Sequence, residues 1–204
     1  MKKIMFNDFY GLNQAVLSGR KTQTRRIIKF SPIDAKYVNE EGWSIDGYVA
    51  SEIINHYSRH KVGEVVAVAQ SYKDCGFDPE LPLMEANGIG GYVKTKFSPG
   101  WNNKMFARAN LMPHRIRITN VRVERLQDIS DEDCIKEGIY PYYYGDEKEK
   151  IECGFYPDGF SFDGIDCHYP TPREAYAALI DKISGKGTWE SNPYVFVYDF
   201  ELVK

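Results

Sequence analysis

The spacing of apolar residues at the start of the chain predicts a strand followed by a short helix. Residues 3–6 are suited to an opening strand. The following apolar positions recur at helical spacing, which predicts a helix from a cap at Asn7 or Asp8 to Ser18. Gly19 then stands where a glycine commonly ends a helix, so we expect the chain to reverse there.

Three longer apolar segments predict the main strands. Residues 62–72 contain VVAVAQSY, which is apolar and β-branched, as in a buried strand. Residues 115–126 alternate between apolar and basic side chains, with a change of phase near Asn120 that predicts a bend or bulge. The segment YVFVYDFELV predicts a closing strand over 194–203, and shorter extended segments are predicted over 24–29 and 91–97.

Two further helices carry capping signals. Ser130, with Asp133 three residues later, predicts a helix start, and Gly138 predicts its end. The sequence from Thr171 to Glu174 is a capping box with proline at the first helical position, and the helix is expected to continue through Ile183.

The remaining segments show no clean period, and they are expected to be loop insertions around residues 31–60, 74–100 and 139–170. One or two helical turns are expected within 51–60, and residues 74–90 are expected to be loop. A chain of 204 residues is the usual size of one domain, so we predict a single domain over 1–204. Short helices between distant strands favour an α+β fold, a small and mostly antiparallel β-barrel with helices packed outside.

The overall composition excludes several classes of protein. Apolar residues make up 43% of the chain and aromatic residues 14%, which is too much for a fully disordered chain. No apolar run approaches the roughly 18 residues of a membrane span, and the first residues lack the apolar segment of a secretory signal. We therefore expect a cytoplasmic protein with free thiols and no membrane partner.

Charge is distributed unevenly, although the formal net charge is only −3. Residues 20–29 hold five basic residues and no acid, and residues 104–125 hold six basic residues against one acid. Residues 128–166 hold twelve acids against three lysines. This pattern favours a basic face on an acidic body, with solvated faces and salt bridges between segments as the alternative.

The densest polar cluster is the segment GRKTQTRR at the end of the first predicted helix, residues 19–26. Lys21, Thr24, Arg25 and Arg26 would project from the turn and the following strand. A lysine beside a hydroxyl can bind an anion and, when desolvated, can act as a base that activates the threonine. A solvated basic turn is the alternative interpretation.

The sequence contains no pattern that demands a metal ion or a cofactor. The four cysteines include no C-x-x-C pair, and His56 and His60 lack the acidic residue of a zinc-protease helix. Glycine-rich phosphate loops and the nucleophile-elbow pattern are also absent. Aromatic side chains beside basic segments are instead typical of binding to single-stranded nucleic acid, although an aromatic core also explains most of them.

Three segments together resemble the ASCH domain family, in its bacterial and prophage branch. They are AVLSGRKTQTRR (15–26) with the pattern Gly-x-Lys-x-x-Thr-x-Arg, HRIRITNVRVERLQDISDEDCIKEGI (114–139), and TWESNPYVFVYDFELV (188–203). The resemblance implies a PUA-like β-barrel that binds RNA or modified nucleobases in a cleft lined by the first motif.

One branch of that family hydrolyses the acetyl amide of N4-acetylcytidine, and some members are ribonucleases. By resemblance, Lys21 would be the base and Thr24 the nucleophile, and the position aligned with the family's glutamate is Gln70. An amide carries no proton at neutral pH, so hydrolysis would require Glu64 or another carboxylate in its place. In a ribonuclease, Lys21 and Arg26 would stabilise phosphate charge.

The leading hypothesis is a protein that binds RNA or a nucleoside-like molecule in a cleft around Gly19 and the motif that follows it. Lys21, Arg25 and Arg26 would contact phosphate or a carbonyl group, Thr24 and Gln70 would bind a base edge, and Tyr72 or Trp101 would stack on it. An amidohydrolase or ribonuclease is the first alternative. A non-catalytic protein that binds a protein partner through residues 139–170 is the second.

Overall fold

The chain folds into a mixed α+β structure, as the sequence predicted. A computed structural model describes residues 1–39, 47–84, 92–145, 147, 151, 156–162 and 169–203. The strands are β1 (Lys3–Ile4), β2 (Gln23–Ile27), β3 (Val65–Val68), β4 (Pro82–Met84), β5 (Tyr92–Lys94), β6 (Arg115–Arg125), β7 (Tyr140–Tyr142), β8 (Gly159–Ser161) and β9 (Tyr194–Val203). The helices are α1 (Leu12–Leu17), α2 (Pro32–Asn39), α3 (Gly47–Tyr57), α4 (Asp131–Lys136), α5 (Pro172–Ser184) and α6 (Thr188–Ser191).

The main sheet has five strands in the order β1-β3-β6-β9-β2 and is mostly antiparallel. β1 runs parallel to β3, whereas β3 is antiparallel to β6. β2 is antiparallel to β9, with Gln23 opposite Asp199 and Arg25 opposite Val197. Facing residues of an antiparallel pair point to the same side of the sheet, so this register groups Gln23, Arg25 and Asp199 on one face.

Backbone contacts divide the chain into two compact units. The single domain over 1–204 expected from the sequence stays a prediction. Unit 1 comprises Met1–Phe6, Val65–Arg117 and Leu202–Lys204. Unit 2 comprises Asn7–Glu64 and Ile118–Glu201. The core of unit 1 is built on a cluster of buried residues, namely Ala67, Tyr72, Ala107 and Met112.

Several predicted helix ends are confirmed. The Ser130 hydroxyl accepts a hydrogen bond from the Asp133 amide at 3.2 Å, and the Thr171 hydroxyl accepts one from the Glu174 amide at the same distance. Gly19 adopts φ +76° after α1. The predicted start of α1 is wrong, because Asn7 caps a separate turn by accepting from the Tyr10 amide, and the helix begins at Leu12.

Two of the predicted loops contain short hairpins. β4 lies inside the loop predicted over 74–90 and pairs with β5. β7 and β8 lie within 139–170 and pair with Tyr140 opposite Ser161. Strands of three residues are too short for alternation to be seen, and other parts of the three predicted insertions lie outside the described residues. β6 runs unbroken over the predicted bend, but Thr119 and Asn120 are both exposed, so the alternation does slip there.

Candidate functional site

Lys21, the lysine of the first motif, has Glu137 as its ion-pair partner. Lys21 is 2% exposed, and its Nζ lies 2.5 Å from Glu137 Oε2 and 2.5 Å from the Glu137 carbonyl oxygen. Gly138, the next residue, adopts φ +107°, a conformation that favours glycine, and a Cβ there would stand 3.3 Å from Leu12 Cδ2. The turn after α1 and the end of α4 therefore place an amine against a carboxylate inside unit 2.

Burial lowers the pKa of the Lys21 amine from its ordinary value, and the Glu137 carboxylate offsets this effect only in part. Arg26 and Arg25 lower the pKa of Lys21 further through charge repulsion. A lysine with a lowered pKa is closer to the neutral form that accepts a proton. The geometry thus places an amine and a carboxylate, two groups that can exchange a proton, in direct contact.

Arg25 holds the other oxygen of the same carboxylate. Its Nη1 lies 3.2 Å from Glu137 Oε1, and its Nη2 lies 2.6 Å from Glu124 Oε1 and 3.0 Å from Asp133 Oδ2. Burial alone would lower the pKa of Arg25, but Glu137 and the other nearby acidic groups raise it above its ordinary value. Arg25 thus remains charged, and its donors are already bonded to protein oxygens.

The arrangement continues into a network that we call the ion cluster, consisting of Lys21, Arg25, Arg122, Glu124, Asp133, Glu137 and Asp199. Arg122 donates to Asp133 Oδ2 at 2.6 Å and to Asp199 Oδ2 at 2.8 Å. Gln23 Nε2 donates to Asp199 Oδ1 at 2.6 Å. The ion cluster joins β2, β6, α4 and β9 within unit 2, so it fixes the position of the Glu137 side chain.

The other motif residues lie on the opposite face of β2, because side chains alternate along a strand. Thr24 is 4% exposed and pairs with Tyr198 of β9, whereas Arg26 is exposed and pairs with Phe196. The structure therefore brings Lys21 and Arg25 to one carboxylate and places Arg26 on the other face of β2.

Sequence reasoning missed two residues here, Glu137 of the ion cluster and Tyr176. Glu137 stands in the second of the three family-like segments, but its pairing with Lys21 spans 116 positions, and no local pattern reveals it. Tyr176 of α5 is 1% exposed, and its hydroxyl has no hydrogen-bond partner among the described residues. Burial, and then the charge of Glu137, raise the pKa of Tyr176 well above its ordinary value.

The remaining predicted site residues belong to unit 1. Gln70 is 6% exposed, and its backbone N–H donates to Met112 Sδ at 3.4 Å. The side-chain Oε1 is buried without a donor among the described residues. Tyr72 is a core residue: its ring lies 5.2 Å from the ring of Phe77, and its hydroxyl accepts from the Arg108 amide at 3.0 Å.

Tyr72 is only 1% exposed, so its ring cannot stack on a base unless the core of unit 1 opens. A Cβ at Gly100 would stand 2.5 Å from Tyr72 Cε2, which shows how closely that ring is packed. Trp101 is half-buried and packs against the same core. Of the two predicted stacking residues, only Trp101 therefore retains surface.

The two units differ strongly in charge. Unit 1 contains ten lysine and arginine residues against four acidic residues, a net charge of +6. Unit 2 contains sixteen basic residues against twenty-five acidic residues, a net charge of −9. Unit 1 also exposes aromatic side chains, including Tyr92, Phe97 and Phe106. A basic surface with exposed rings is therefore a property of unit 1.

Comparisons with protein-family models, with curated proteins and with solved structures found no match to this chain. Within the described residues, no helix combines the length and the apolar character needed to cross a bilayer.

Proposed function

We propose that this protein binds single-stranded RNA or a nucleotide, and that unit 1 contacts the phosphates. The observation that carries the proposal is the +6 charge of unit 1 within a chain whose net charge is −3. Neutralised phosphates release counterions, and this release provides a large share of the affinity of proteins for nucleic acid. An acidic unit 2 would be repelled by the same polymer, so the contact belongs on unit 1.

The aromatic residues of unit 1 support single strands over duplexes. Tyr92 and Phe97 are each 69% exposed, and Phe106 is 59% exposed. Exposed rings beside cations are the surfaces on which unpaired bases stack. Trp101 is a further candidate for this contact.

Gln70 supports recognition of a base edge. A buried amide oxygen without a donor costs about 1–3 kcal/mol, and such an atom calls for a missing partner. The exocyclic amino groups of adenine, cytosine and guanine are donors of the required kind. We assign Gln70 Oε1 as the acceptor for such a group. Gln70 is 6% exposed, so a base reaches this oxygen through a local opening of unit 1.

The family resemblance completes this proposal. It implies that the five-stranded sheet belongs to a PUA-like barrel. The cytoplasmic location expected from the sequence is part of the same proposal. In this interpretation Lys21 and Arg25 stabilise unit 2 through the ion cluster, because their donors already bind protein oxygens.

Fluorescence anisotropy of a labelled single-stranded RNA tests the proposal. We expect affinity at low salt that falls steadily as salt increases, since each phosphate contact contributes to that dependence. A peptide nucleic acid of the same sequence has a neutral backbone and is expected to bind much more weakly. The absence of RNA binding at low salt would contradict polymer recognition and leave a nucleoside-like ligand.

A second candidate function, amide hydrolysis, is favoured by one observation, the contact between Lys21 and Glu137. Gln70 cannot transfer a proton, but the Glu137 carboxylate lies 2.5 Å from the Lys21 amine and can. By resemblance, N4-acetylcytidine would be the substrate and Thr24 the nucleophile. Thr24 lies on the face of β2 opposite Arg25 and Glu137, so in this structure water is the nucleophile that the pair would activate. Lys21 and Glu137 would then form the proton-transfer pair.

Release of acetate from N4-acetylcytidine tests this second candidate. If it is correct, Glu137→Gln lowers kcat by about 10²–10⁴-fold, the usual effect of losing a general acid or base. Glu132→Gln changes an exposed acid of the same helix and is expected to keep the wild-type rate. Equal rates in wild type and Glu137→Gln, measured on folded protein, would rule out this role for Glu137.

A further inference from the structure

A pocket of 480 Å³ opens between α2 and α3 of unit 2, and neither proposed function uses it. Its volume lies within the range of small-molecule sites, about 300–1,000 Å³. The α3 residues that line it recur every three or four positions, so one face of that helix forms a wall. None of its lining residues belongs to the ion cluster.

One side of the pocket is aromatic. The rings of Phe30 and Tyr57 meet edge to face, with centroids 5.6 Å apart and planes at 76°. The ring of His56 lies 4.7 Å from that of Tyr57 in a similar arrangement. Aliphatic side chains from both helices complete a mostly apolar lining.

A fixed carboxylate stands in this apolar lining. Asp34 Oδ2 accepts hydrogen bonds from Ser31 Oγ at 2.6 Å and from the Tyr57 hydroxyl. These two bonds lower the pKa of Asp34, so its carboxylate is charged at neutral pH. Both donors reach the same oxygen, which leaves Oδ1 as the atom for a ligand donor.

The charges around the pocket exclude an anionic ligand. The eight described residues that line it include two carboxylates, Asp34 and Glu52, together with His56, and no lysine or arginine. A phosphate or a carboxylate would meet like charge there. Carboxylates beside aromatic rings are the combination that binds organic cations.

We propose that this pocket binds a small organic cation, an ammonium or guanidinium group carried on an aromatic or aliphatic body. Asp34 and Glu52 face the charged group, and Phe30 and Tyr57 contact the body. The site is independent of the proposed RNA surface, because it belongs to the acidic unit 2 and selects the opposite charge.

Isothermal titration calorimetry of the full chain with tryptamine tests this proposal. Tryptamine combines an ammonium group with an aromatic body, and indole-3-propionate carries a similar body with the opposite charge. We expect saturable binding of tryptamine and at least about tenfold weaker binding of the acid. Equal binding of the two probes, or no binding of tryptamine, would overturn the proposal.

Two variants locate the binding in the pocket. Asp34→Asn retains an acceptor for Ser31 and Tyr57 but removes the charge, and Glu52→Gln removes an exposed charge of α3. Each is expected to weaken tryptamine binding by about fivefold or more. Glu132→Gln removes a charge from the same unit outside the pocket and is expected to leave the affinity unchanged. Unchanged binding in both pocket variants would mean that tryptamine binds at another site, and the proposal for this pocket would be wrong.

Discussion

At the scale of single residues, Glu137 determines what Lys21 can do. One carboxylate oxygen binds the Lys21 amine at 2.5 Å and the other binds Arg25 at 3.2 Å. Removing one member of a buried ion pair leaves an uncompensated charge, which typically costs 3–5 kcal/mol. Lys21 is therefore a stability residue whether or not it also acts in binding or catalysis.

Lys21→Met is expected to lower the free energy of unfolding by about 3 kcal/mol, the low end of that range, because Arg25 still pairs with Glu137. Urea denaturation measures the change. Lys136→Met is the matched control, since Lys136 is half exposed and pairs with Asp133 at 2.9 Å on the surface. The control is expected to lose less than about 1 kcal/mol. Similar losses in the two variants would show that the Lys21–Glu137 pair contributes no more to the free energy of unfolding than a surface ion pair.

At the scale of secondary-structure elements, signals within a few residues were predictable and pairings between distant segments were not. The caps at Ser130 and Thr171 depend on a side chain and an amide three residues later, so the sequence reveals them. The closing strand over 194–203 is long enough for its apolar run to be recognised. The hairpin of β7 and β8 joins segments of three residues, which carry no detectable period.

In the candidate site, too, local features were predictable from the sequence and contacts between distant segments were not. The position of Gly19 at the end of α1 is a local property, and its positive φ was predictable. The contact of Lys21 with Glu137 requires the end of α4 to meet the turn after α1, which is a property of packing. Tyr72 is predicted to stack because aromatic side chains near basic segments are typical of nucleic-acid binding, but packing places its ring in the core of unit 1.

At the scale of the whole molecule, the basic runs of the sequence do not coincide with the basic unit of the folded chain. The basic run over 20–29 belongs to unit 2, where Arg25 is surrounded by carboxylates of the ion cluster. The basic run over 104–125 is divided, since Arg115 and Arg117 belong to unit 1 and Arg122 to unit 2. The net charge of each unit, rather than of each run, is the quantity that a polyanion meets.

Two pairs of substitutions separate the charge of unit 1 from the charge of the whole chain. Lys73→Gln with Arg115→Gln removes two exposed cations from unit 1, and Lys36→Gln with Lys186→Gln removes two from unit 2. Both pairs change the net charge equally. If unit 1 contacts the phosphates, only the first pair weakens RNA binding strongly, and it reduces the slope of log affinity against log salt by about 1.4. Anisotropy titrations at several salt concentrations measure both quantities. Equal losses from the two pairs would mean that RNA responds to the overall charge of the protein, and the assignment of the phosphate contacts to unit 1 would be wrong.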